Sequence, residues 1–130
     1  MSTRVKLVVC FTLFAGLAAA AVAAQPQKPD RARGFMQLKL DESQKLLAAI
    51  ALEDFEEISR TSQKISLLTE DENWRVIQTA EYRRHSDDFK RASNAVTEAA
   101  RKKNLDGAVL AYMQMTMQCV QCHQHVRKQK

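Results

Sequence analysis

The sequence predicts an all-α protein built as an antiparallel four-helix bundle, and three observations carry that expectation. Beyond residue 30, apolar residues recur three and four positions apart, with no strand-like alternation. Glycine and proline are scarce, three and two in 130 residues, so little interrupts helical runs. The interruptions that do occur are short, and short links join helices that lie antiparallel and side by side.

The first helix is expected from an N-cap at Asp30 to about Ala51, with inner positions Met36, Leu40, Ser43, Leu47 and Ile50. A second, from about Leu52 to Leu68, repeats the spacing at Phe55, Ile58, Ser62 and Ile65. Residues 31–68 as one long helix would give a three-helix alternative. Thr69-Glu70-Asp71-Glu72 resembles a capping box and opens a connection or short helix carrying Trp74, Val76 and Ile77. The third helix follows Thr79 and runs to about Lys103, striped by Tyr82, His85, Phe89, Ala92, Val96 and Ala99. Asn104 to Gly107 breaks the pattern, with Asp106 as a cap. The last helix spans about Gly107 to Lys128, with Val109, Tyr112, Thr116, Cys119 and His123 on one face.

Residues 1–24 differ from the rest. Arg4 and Lys6 precede an apolar run from Leu7 to Ala24 that ends in small residues, the pattern of a secretory signal peptide cut near Ala23 or Ala24. At 18 residues the run also meets the lower limit for an uncleaved membrane anchor, although its alanine-rich half is weakly apolar. A lipoprotein reading of Cys10 fails, because Val8-Val9 stand where small residues are needed. Cleavage leaves a domain over residues 25–130. Since Arg4 and Lys6 are two of the 20 basic residues, its formal charge falls from +5 to +3. That mild excess lacks the clustered stripe of a nucleic-acid binder and suits an acidic protein partner. The runs Arg83-Arg84, Lys90-Arg91 and Arg101-Lys102-Lys103 alternate with acids and read as solvated faces.

The matured chain keeps two cysteines, Cys119 and Cys122. A disulfide between them would close almost no loop and stabilise little. Cys119-Val120-Gln121-Cys122-His123 is instead a C-x-x-C-H sequence, the attachment motif for haem c. Two thiols three residues apart on a helix reach the two vinyl groups on one porphyrin edge, and the adjoining imidazole reaches the iron. A thioredoxin-like site would sit after a strand, at the start of a helix; this motif lies late in one. Zinc would need His125 beside Cys119, Cys122 and His123, yet residues 123 and 125 project about 200° apart on a helix.

With this motif near the C-terminus, four helices, and Gly34-Phe35-Met36-Gln37 early in the first, the chain resembles the class II c-type cytochromes, the cytochrome c′ group and its low-spin relatives. The resemblance implies a periplasmic antiparallel bundle with covalently bound haem, often a homodimer. It implies that Met36 faces the distal side of the haem. Phe89 falls where that family tends to carry an aromatic residue, and Arg127 where it usually has a basic one near the haem edge. Class I cytochromes have the opposite order, with C-x-x-C-H near the N-terminus. The family commonly has arginine or glutamine shortly before the distal residue, and Ala32-Arg33 align poorly with that feature.

The sixth iron position separates two functions. Residues of the last helix lie on the His123 side, which removes Met113, Met115 and Met117, expected to pack, and His125, expected on the far face. If Met36 ligates, the iron is six-coordinate and low-spin, and Met/His ligation raises the potential; that suits electron transfer with redox partner proteins. If Met36 only packs, a five-coordinate iron would take NO or CO. His85, also on an inner stripe, is the competing ligand or a hydrogen-bonded core residue. Phe35, Trp74 and Phe89 line the haem or fill ordinary core. Arg127 pairs with a propionate or with the helix macrodipole. No distal His with a neighbouring Arg supports a peroxidase, so no enzymatic activity is expected.

Overall fold

The computed structural model describes residues 28–71, 74 and 77–129; the expected leader and its cleavage site lie outside them. Four helices account for nearly all of this: α1 Lys28–Ala51, α2 Phe55–Leu68, α3 Ala80–Arg101 and α4 Leu105–Lys128. No strand occurs among the described residues, and none of their helices is long and apolar enough to cross a membrane. Each helix packs on the next along the chain, and α1 returns to α4 along a much slighter seam.

Two of the three connections are the same device. After α1, Glu53 N–H donates to Ile50 O and Asp54 N–H to Ala49 O; after α3, Lys103 N–H donates to Ala100 O and Asn104 N–H to Ala99 O. These paired bonds are Schellman closures, each with a left-handed residue at the turn, Glu53 at φ 55° and Lys103 at φ 53°. The next residue caps the following helix: Asp54 accepts from Glu57 N at 3.0 Å and Asn104 from Gly107 N at 2.9 Å. The break at Leu52–Asp54 rules out a single helix over 31–68. Because the left-handed region disfavours side chains bearing Cβ, Glu53→Gly and Lys103→Gly are each expected to raise the unfolding free energy by about 0.5–1 kcal/mol. Urea denaturation checks this; a lowered midpoint would contradict the strain.

Several local expectations shift. Helix α1 begins at Lys28, so Asp30 lies within its first turn. Thr69 closes α2 rather than opening a new element, its hydroxyl donating to Ser66 O at 2.7 Å. Thr79 caps α3, accepting from Tyr82 N at 3.2 Å. Asn104, not Asp106, caps α4. Trp74 is pinned between helices: its Nε1 donates to Ser86 Oγ at 2.7 Å, and its carbonyl accepts from the Tyr82 hydroxyl.

The core joins Leu46, Ile58, Ile65, Phe89, Val96 and Met115 with alanines 49, 92, 100, 108 and 111. Between α2 and α3 it also holds a hydroxyl pair, Ser62 Oγ and Thr97 Oγ1 at 2.7 Å. One of these hydroxyls donates to the other, whose own proton goes to a carbonyl one turn back in its helix, Ile58 O for Ser62 or Ser93 O for Thr97, so the buried polar atoms are satisfied. The stripes expected on α2 and α3 agree with the buried faces.

The inner face of α1 differs from expectation. Helix α1 buries Phe35, Lys39, Glu42, Leu46, Ala49 and Ile50, whereas Leu40 and Leu47 are 50% and 51% exposed. The inner row is thus turned by about one residue, because two charged side chains occupy it. Glu42 is matched there by Lys45 of its own helix at 3.0 Å and Lys64 of α2 at 2.7 Å. The Lys64 bond above all, against the opposing effect of burial, holds its carboxyl below the usual range. Helix α4 buries Ala108, Ala111, Met115 and His125, while Val109, Thr116 and His123 lie outside that row. Alanines contribute little to an apolar stripe, yet they let α4 lie close on α3, and that closeness sets the rotation. Met115 packs as expected; Met113 and Met117 are 60% and 54% exposed and do not.

A candidate cofactor cleft between the first and last helices

The slight α1–α4 seam leaves a cleft of about 210 Å³. Met36, Lys39, Leu40 and Ser43 of α1 face Tyr112, Met115, Thr116, Cys119 and His123 of α4 across it. Helical spacing explains the convergence on α4: 112, 116, 119 and 123 follow one another by four, three and four residues. Tyr112, Thr116, Cys119 and His123 thus share one face, as expected, and that face is the wall of a cleft. On α1, Met36, Leu40 and Ser43 form the matching row. Tyr112 ties the two walls together, its hydroxyl donating to Ser43 O at 3.3 Å.

The structure brings Met36, Cys119 and His123 to one cavity, with the methionine on the helix opposite the imidazole. Both cysteines are free thiols and half-buried. Burial pushes both thiols up, while the nearby Lys39 ammonium acts in the opposite direction. Reactive C-x-x-C pairs carry depressed thiols instead. Cys122 packs beside the core rather than in the cleft wall. Its charge also acts on Tyr82, whose hydroxyl is pushed up to about 12, chiefly by burial. His123 is pushed down, first by desolvation and then by the charges of Lys39 and Arg127. That favours the neutral imidazole, the form that ligates metals.

Phe35 and Phe89 lie in the core, and neither lines the cleft. With Trp74 they form an aromatic cluster: Phe35 meets Trp74 edge-on at 6.2 Å between ring centroids, and Phe89 lies 5.3 Å from Trp74. Lys39, a residue the apolar pattern gave no reason to single out, stands at both places. It lines the cleft, and its Nζ sits 4.0 Å from the Trp74 centroid and 3.8 Å from that of Phe89. Arg127 is exposed, one turn beyond His123 and close enough to influence it. His85 is away from the cleft, and His125, expected on the outer face, is buried against it with ring centroids 5.4 Å apart.

Small-molecule sites usually enclose roughly 300 Å³ or more, so a macrocycle would need this cleft widened. The seam that would part is slighter than those between helices consecutive in the chain, and the flexible Lys39 side chain lines it. Walls of thioether, aromatic and aliphatic groups, the Cys119 thiol and a neutral imidazole suit an iron porphyrin, with the Cys122 thiol one turn away on α4. Comparison with protein-family models, with curated proteins and with solved structures found no match for this chain.

Proposed function

We propose that this chain is an exported c-type cytochrome: an antiparallel four-helix bundle with one haem c attached through Cys119 and Cys122, transferring electrons with its iron held between His123 and Met36. The single observation that carries the reading is the common cleft of Met36, Cys119 and His123, with the two candidate axial ligands on opposite helices. Export rests on the leader-like residues 1–24.

When bound, haem c supplies one-electron exchange at iron. Cys119 and Cys122 would hold it to α4 by thioether bonds. His123, held neutral by its surroundings, offers its lone pair from that same helix. Met36 would offer a thioether sulfur from α1 across the widened cleft, tying α1 to α4 through the bound group. Both ligands sit on long helices and need little movement between oxidation states, which keeps reorganisation small. Phe35, Trp74 and Phe89 give a stiff apolar floor once the Lys39 side chain swings outward, and Arg127 stands near enough to meet a propionate. The modest positive charge of the matured chain suits docking to an acidic redox protein.

Mass spectrometry of the protein from a host with thioether-assembly machinery tests this. The expected mass is that of the matured chain plus one porphyrin. A bare-chain mass from a host that matures other c-type cytochromes would end the proposal.

A further inference from the structure

Away from the cleft, α3 and α4 bring together three side chains that the electron-transfer reading leaves without a role. Glu81 and His85 lie one turn apart near the start of α3, and His125 lies near the end of α4. One donor atom from each falls within 4.8 Å of the other two. We propose that Glu81, His85 and His125 form a binding site for a divalent transition-metal ion of the zinc type, separate from the C-x-x-C-H cleft.

The spacing argues for an ion rather than for hydrogen bonding. His125 Nδ1 is 3.4 Å from Glu81 Oε2, and His85 Nε2 is 4.0 Å from Glu81 Oε1. Both exceed the 3.2 Å reach of ordinary N–H···O bonds. Donors around a tetrahedral ion bonded at about 2.0–2.2 Å are themselves roughly 3.3–3.6 Å apart. A small adjustment of the Glu81 side chain therefore closes the set. The two imidazoles are buried, at 7% and 8% exposure, and the protein under-uses them: His85 Nδ1 and His125 Nε2 have no hydrogen-bond partner. These are the ring nitrogens turned away from Glu81, whereas His85 Nε2 and His125 Nδ1 face it, so the site stands on two buried imidazoles held at ligand spacing around one carboxylate.

The remaining features fit the same class of ion. Two imidazoles and one carboxylate are borderline donors, favouring zinc, copper or nickel over magnesium or calcium. Glu81 is 55% exposed on its side chain, which leaves an entry path and a solvent-facing fourth position. The site would clamp the N-terminal end of α3 to the C-terminal end of α4. It depends on neither haem nor the cysteines.

The test is calorimetric titration of Zn²⁺ into chelator-treated full-length protein, with Mg²⁺ as the contrasting ion. One zinc ion per chain and no magnesium response is expected. His85→Gln and His125→Gln should each weaken zinc binding by more than about 100-fold, beyond the roughly 10–100-fold cost of losing only a supporting partner. The exposed Glu81→Gln leaves the fold intact and should weaken binding as well. Cys119→Ser/Cys122→Ser should bind zinc unchanged, and Co²⁺ in the site should show tetrahedral bands without sulfur-to-cobalt charge transfer. Binding that survives Glu81→Gln and His85→Gln, binding lost with the cysteines, or no binding would each overturn the site. None of those results bears on porphyrin attachment, so the two proposals fail separately.

Discussion

Matured with its porphyrin, Met36→Leu is expected to bind carbon monoxide promptly in the reduced state, where the native protein resists it. Leucine keeps a similar volume in the cleft wall and removes only the sulfur. Met36 is the one thioether on α1 that lines the cavity opposite His123; Met115, although also in that cavity, belongs to the same helix as His123 and the cysteines. Since Met/His ligation raises the reduction potential, the variant's potential should fall by on the order of 0.1 V, a fraction of the roughly 0.8 V that axial ligands span. The native protein should also show a weak sulfur-to-iron charge-transfer band that the variant lacks. Identical spectra, potentials and carbon monoxide response in the two proteins would remove Met36 from the iron and favour the five-coordinate, gas-binding alternative.

The helices themselves were legible from their apolar spacing, although of their caps only Thr79 stands at an expected boundary: the second helix is expected from about Leu52, and Asp106 as the last cap. Asp54, Thr79 and Asn104 are cap-forming types, and each stands directly before a helix. The faces of α2 and α3 were legible too, because Ile58, Ile65, Phe89 and Val96 carry most of their burial. Rotation about the axis was the less readable quantity on α1 and α4. Leu40 and Leu47 outweigh Lys39 and Glu42 in any hydrophobic count, yet the charged pair is inside. A local pattern does not register that Lys64, on another helix, is available to Glu42. On α4 the buried row is largely alanine, so the bulkier row of Tyr112, Cys119 and His123 attracted the assignment. The common face expected for Tyr112, Thr116, Cys119 and His123 is the cleft wall, whereas Val109 and Cys122 lie off it. The pairing of His85 with His125 needed the tertiary structure, since the two residues are 40 positions apart in the chain.

Lys39→Met, in chain isolated without porphyrin, is expected to raise the unfolding free energy by about 1–3 kcal/mol. Two effects oppose each other at this residue. Its ammonium meets the faces of Trp74 and Phe89 at 4.0 and 3.8 Å, contacts that give about 2 kcal/mol when desolvated. Withdrawing the charge from water costs several kcal/mol, and the lowered pKa, caused first by burial and only partly offset by the two thiols, says that the cost wins. The pH dependence follows in sign. Between the lowered folded value and the ordinary 10.5, the unfolded chain holds the proton that the folded chain has released. Stability should therefore rise with pH across that interval in the native protein, and the Met variant should lack this component. Urea denaturation at neutral and alkaline pH measures both. A less stable variant would mean that the aromatic faces outweigh desolvation, and that Lys39 is a fixed strut of the cleft. The expected result makes it a residue held inside at a cost, in the wall of the cleft between α1 and α4.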